Sequence, residues 1–241
     1  MVDTEGTCVA GGLRVIISFS RMASNQSPLT FRFSLDKFTN ALAYFAWKGV
    51  KDLTKLKAVK LLYLADRYHL LRYGRPVVGD RYIAMDLGPV PEDAFQLISR
   101  LIEPAEVDDP ERAQALERLE VYRGFMRRYS YPVLRARSAP DLSVFSESDL
   151  EALDATLKEY GSKPARSLVD LTHEHRAYKR ANAGRVPGSS TELPYEFFFE
   201  DAPEASHVRI LAELGQEDRD FADWLQRAGR TALRSKTQPA R

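Results

Sequence analysis

From Ser34 onward, apolar positions recur at helical spacing. Leu35, Phe38, Leu42 and Phe45, with Ala41 and Ala46 beside them, follow a residue type that favours a helix N-cap, and Gly49 ends the run. A second helix is expected from Thr54 to Tyr73, closed by Gly74. Its Leu56, Val59, Leu61, Leu62, Leu64, Ala65, Tyr68, Leu70 and Leu71 cover most of the circumference. A helix apolar nearly all round belongs in the middle of a domain.

After the turn-rich stretch 74–80, Arg81 to Asp86 alternates like a short strand, with Ile83 and Met85 on one side and Tyr82 and Ala84 on the other. Gly88-Pro89-Val90 reads as a rigid turn, and Pro91, Glu92 and Asp93 suit the start of a helix that buries Phe95, Leu97, Ile98, Leu101 and Ile102. Ala113, Leu116, Leu119 and Tyr122 keep helical spacing within an acidic stretch. Residues 129–137 suit a strand. A capping box at Ser148 and Glu151 should open a helix closed by Gly161, and one further helix is expected from Pro164 to Ala181. The sum is a mainly α-helical α+β domain, compact, with a few short β-strands. It is expected over residues 31–200, followed by a helical extension over 201–228, two short helices around Gly215, and a basic disordered tail over 229–241. Met22 and the small polar residues after it look like a second start site. Residues 1–30 are therefore expected to be a wrongly assigned or disordered extension.

Composition narrows the function classes. Lys and Arg number 35 against 34 Asp and Glu, a formal net charge of +1, which counts against a dedicated nucleic-acid binder. The single cysteine, Cys8, excludes a disulfide framework and a cysteine-rich zinc site. No apolar run approaches the roughly 18 residues of a membrane span, and no signal peptide is evident, so a cytoplasmic location is expected.

The densest cluster of unusual residues lies between 63 and 90. Asp66, His69 and Tyr73 share one helix face, and Asp66 has the chemistry to set the tautomer of His69. The favoured reading is a structural hydrogen-bond network, with Asp80 joining it or holding the loop. Lys57, Lys60 and Arg67 fall on one helix face, either as a solvated stripe or as a patch for an acidic protein surface or a nucleic-acid backbone. His173-Glu174-His175 has the wrong spacing for a helical metal site. No nucleophile elbow, phosphate loop or dinucleotide fingerprint is present, and no cofactor or metal is expected.

The run Leu56 to Leu70 with its Asp66-Arg67-Tyr68-His69, then Tyr73-Gly74-Arg75-Pro76, Asp80 and Ala84 through Gly88-Pro89-Val90, resembles the Panacea domain of SocA-like antitoxins and GepA-type phage-associated proteins. Thr172-His173-Glu174 and Tyr178 are similar to its C-terminal signature. The resemblance covers about residues 34–182 and is weak over 103–145; Met85 stands where the family often has tryptophan. It implies a non-enzymatic antitoxin of a toxin–antitoxin system, with a place in phage defence, that neutralises a cognate toxin by direct binding. In SocA the domain also delivers the toxin to a ClpXP protease. Tyr73, Arg75, Arg81 and Tyr82 are the expected partner-binding residues. Asp66, His69, Asp80, Gly88, Pro89 and His173 are the expected structural network beneath them. Two rivals stay open: a hydrolase built on Asp66, His69 and Asp80, and a DNA-binding regulator of its own operon.

Overall fold

The computed structural model describes residues 28–103, 108–126, 129–205 and most of 208–216. The expected start at Met22, Cys8, His207 and the basic tail lie outside the described residues. The chain is a mainly α-helical α+β protein. Helix α1 spans Leu35–Trp47, its first turn capped by the Ser34 hydroxyl, which accepts from the Lys37 N–H. Helix α2 spans Lys55–Tyr73 between the Thr54 cap and Gly74, which takes the left-handed conformation at φ +74°. From Lys57 to Asp66, and again at His69 and Leu70, every residue of α2 is buried. As its all-round apolar pattern requires, α2 is the axis of the core.

Strands β1 (Tyr82–Met85) and β2 (Gly88–Pro91) form an antiparallel hairpin, Ile83 facing Val90. Then come α3 (Glu92–Ile102), α4 (Pro110–Arg118), the hairpin β3 (Leu119–Met126) and β4 (Tyr129–Ala136), α5 (Glu147–Tyr160), α6 (Ala165–His173), α7 (Arg176–Asn182) and β5 (Thr191–Glu192). The sheets run in the orders β2-β1-β5 and β3-β4. The 3-10 segment Tyr195–Asp201 inserts Tyr195, Phe198 and Phe199 into the core, with Tyr82, Tyr195 and Phe198 in mutual ring contact. Among the described residues no helix is long and apolar enough to cross a membrane.

Four local expectations are corrected. Gly88-Pro89-Val90 is strand rather than turn; β2 is an edge strand, where prolines without an N–H cost no ladder bond on the open side. Leu119 and Tyr122 belong to β3, because pairing with β4 overrides their helical spacing. The capping box is formed by Ser146 and Asp149, two residues earlier than expected. The helix expected over 164–181 is two, broken at Glu174-His175, where Asp201 accepts the Arg176 N–H at 2.6 Å and caps α7.

Candidate functional site

The unusual polar residues of α2 point inward, and each meets a different neighbour. Asp66 has no exposed surface. Its carboxylate accepts the Val78 N–H at 2.8 Å and the Tyr82 hydroxyl at 2.9 Å, pinning the loop after α2 and strand β1 to the helix. Burial pushes its carboxyl up to about 6, against the pull of those donors. Asp80 accepts the Asp93 and Ala94 N–H groups at 2.9 and 2.8 Å, so it caps the start of α3, where Pro91 has no side chain to do so. Burial raises its carboxyl to about 7 despite these two bonds. Tyr195 closes the arrangement by donating to the Asp80 carbonyl at 2.5 Å.

Lys60 is the least expected member. It is fully buried, and its ammonium donates to the Pro89 carbonyl at 2.6 Å with no carboxylate pair among the described residues. Burial pulls its pKa down to about 7. Gly88, at φ +98°, lies directly against it. A Cβ on Gly88 would stand 2.8 Å from Lys60 Nζ, 2.9 Å from Thr172 Oγ1 and 3.2 Å from the His173 ring. Only glycine supplies both that conformation and that clearance. Residues far apart in sequence, Lys60, Gly88-Pro89 and Thr172-His173, thus form one packing unit. The His173 ring stacks on Tyr178 at 4.7 Å, and Tyr178 donates to the Met85 carbonyl. His175 turns inward to Tyr63, whose hydroxyl lies 2.9 Å from Nδ1; burial, then Arg67, lowers this histidine to about 4.

His69 belongs to a separate chain of bonds. Its Nδ1 lies 2.6 Å from the Arg75 carbonyl and its Nε2 lies 3.0 Å from Ser148 Oγ. Its Nε2 also lies 3.3 Å from Asp149 Oδ1, and burial, followed by smaller effects of its neighbours, lowers its pKa. Asp66 is committed to Val78 and Tyr82 instead: the Arg75 carbonyl faces Nδ1, and the carboxylate beside the ring is that of Asp149. Asp149, at the same helix start, takes Lys37 at 2.7 Å and Arg75 at 2.9 Å. Burial drives its carboxyl up, but these partners and the Ser146 N–H outweigh that and hold it below the usual range.

The expected partner-binding residues do not share one fate. Tyr82 is corrected: it is 1% exposed and its hydroxyl is committed to Asp66, so it cannot contact a partner. Tyr73, 40% exposed, donates to Glu151, Arg75 is tied to Asp149 and Ser146, and Arg81 pairs with Glu92 at 2.7 Å. The basic stripe is also corrected. Lys57 and Lys60 are buried, Lys57 donating to the Lys51 carbonyl, and Arg67 pairs with Asp201. Periodicity missed this because long lysine stems count as polar, although they pack as methylene chains.

The hydrolase set Asp66, His69 and Asp80 is split among three separate tasks. The pair Ser148–His69 does have a general-base spacing, but its histidine is fully buried. Among the described residues no group of three or more His, Cys, Asp or Glu side chains is placed to hold a metal ion. A described groove of about 490 Å³ lies elsewhere, between the loop after α1 and the β3–β4 hairpin, with Trp47, Lys51, Tyr122 and Arg135 on its walls. Sequence reasoning did not single out that hairpin.

Comparison with known proteins bears on the whole constellation. Neither the curated proteins nor the solved structures contain a match to the chain. The family model described as antitoxin SocA-like, Panacea domain, matches residues 59–179, half of the chain. That span holds Lys60, Asp66, His69, Asp80, Gly88, Pro89 and His173, the residues that lock α2 to the first hairpin and to the helices behind it. The chain therefore belongs to the SocA-like antitoxin family and carries its Panacea domain.

Proposed function

We propose that this protein is an antitoxin that neutralises a cognate toxin by direct protein–protein binding. The observation that carries the reading is the use made of the buried polar groups. Asp66, Asp80, Lys60 and His69 each hold a backbone group or hydroxyl of the protein's own fold, so they act as internal fasteners rather than as a reaction centre. What is left for a partner is the outer surface of a rigid platform. Tyr73 and Arg81 are exposed candidates on it, and Arg75 is a half-buried one.

The test is co-expression with the product of the adjacent reading frame. That product should arrest growth alone, and this protein should restore growth and co-purify with it. An adjacent product that is harmless, or a protein that fails to restore growth, overturns the reading for this pair. Delivery to a ClpXP-type protease predicts that toxin levels fall and that neutralisation disappears in cells lacking the protease. Neutralisation by binding alone persists there.

A hydrolytic reading rests on the Ser148–His69 pair alone. It predicts that Ser148→Ala abolishes neutralisation while the protein stays folded and still binds the toxin. The proposed binding function predicts that Ser148→Ala neutralises normally.

A further inference from the structure

The β3–β4 hairpin differs from the rest of the molecule in charge and in surface. Between Leu119 and Arg137 the sequence places Arg123, Arg127, Arg128, Arg135 and Arg137 against one acid, Glu120, in a chain whose formal net charge is only +1. The same hairpin and the end of α1 beside it carry Trp47, Tyr122, Phe125 and Tyr129, which are 60, 46, 72 and 80% exposed. Among the described residues Tyr73 is the one other aromatic of comparable exposure, and its hydroxyl is bound to Glu151. Leaving four large rings in water forgoes the burial that aromatic side chains normally contribute, and exposed aromatic and arginine side chains together are the composition of binding hot spots.

The groove supplies shape. Its apolar parts are Ala46, Val50, Val133 and Leu134, and Trp47, Lys51 and Arg135 stand on its walls. Arg135 lies over the Tyr122 ring at 3.6 Å, and a guanidinium on a ring face keeps N–H groups at its edge for a carboxylate.

We propose that this groove, with the face of the hairpin that carries Tyr122, Tyr129 and Arg135, receives an acidic segment of the toxin, with carboxylates on Arg135 and Lys51 and an apolar anchor beside Trp47; Arg123 and Phe125 alternate onto the opposite face. The inference rests on the antitoxin reading and names the contact surface for it. A single-stranded nucleic acid fits the same geometry less well. One face of Tyr122 is taken by Arg135, and Tyr131 is folded over Gly124 and donates to Asp52, so neither ring is a free stacking platform. Asp52 lines the groove, where a backbone charged at every unit would meet it; a peptide can place a neutral residue there.

The experiment uses the full chain and the product of the adjacent reading frame. Lys51→Glu combined with Arg135→Glu should weaken toxin binding about a hundredfold or more, and Tyr129→Ser and Trp47→Ala about tenfold each, with unchanged melting temperatures. Wild-type binding should fall with rising salt. Arg166→Ala, on α6 and outside this surface, should bind as wild type. If wild type neutralises the toxin and the hairpin variants neutralise it equally well, or if only Arg166→Ala loses binding, this surface is overturned while the antitoxin reading stands. If wild type itself fails to neutralise, the antitoxin reading falls and takes the surface with it. If oligothymidylate binds wild type as tightly as the toxin does and the hairpin variants lose only that binding, the site is one for nucleic acid.

Discussion

The two long-reach hairpins of this molecule are built alike and treated oppositely. In β1–β2, Tyr82 is 1% exposed, β2 is buried along its whole length, and the polar atoms are held by Asp66, Lys60 and Tyr195. In β3–β4, Leu119 and Leu134 face the core, while Tyr122, Phe125 and Tyr129 stand in water beside arginines. One hairpin is enclosed by α2, the C-terminal 3-10 segment and α6; the other packs chiefly on α1. The difference separates two jobs. Residues enclosed on all sides can only support, whereas those on a ribbon covered on one side remain free to bind.

Substitutions at the enclosed hairpin should therefore cost stability, and the largest loss is expected at Asp66. Asp66→Ala strands the Val78 N–H and the Tyr82 hydroxyl in a dry interior, which should cost about 3–5 kcal/mol by chemical denaturation. A variant that melts like wild type yet no longer neutralises would move Asp66 from support to binding.

Gly88→Ala comes next. It forces an alanine to φ +98° and sets its Cβ against Lys60 and Thr172, both fully buried, for an expected loss of about 2–4 kcal/mol. A melting curve indistinguishable from wild type would mean that the Lys60 side chain can retreat.

Lys60 gives a pH signature. Its folded pKa, about 7, lies below the ordinary lysine value of 10.5, so between those limits the unfolded chain binds more protons than the folded one. Stability should therefore rise with pH across that window, and the cost of burying the ammonium is felt in full below about pH 7. The buried Asp66 and Asp80 carboxyls, raised to about 6 and about 7, act with the opposite sign and overlap the lower end of this window, so the rise is read above about pH 8. Lys60→Met should flatten the rise; an unchanged slope would show that another group causes it.

The smallest effect on stability is expected at the exposed hairpin. Phe125→Ser should stay within about 0.5 kcal/mol of wild type. A large destabilisation there would erase the contrast between the two regions, because it would make Phe125 part of the fold.

How much of this could be read from the chain depends on how local the cause is. Ser34, Thr54 and Gly74 act within their own helix turns, so the bounds of α1 and α2 were legible to within a residue or two. Asp66 and His69 were recognisable as polar groups needing partners, but the partners themselves, Val78, Tyr82, Arg75 and Ser148, lie six to 79 residues away. Lys60 read as surface because its charge hides an apolar stem. The break at His175 was hidden because its cause, Asp201, lies 25 residues beyond Arg176.

The sequence by itself determined the central helix, its caps, the mainly helical class and the family to which the chain belongs, because those follow from periodicity, turn chemistry and residue order along a short stretch. Only the tertiary structure decided which polar residues are spent inside and which face a partner. A side chain's hydrogen bonds and its exposure depend on what packs across it, and those neighbours come from distant parts of the chain.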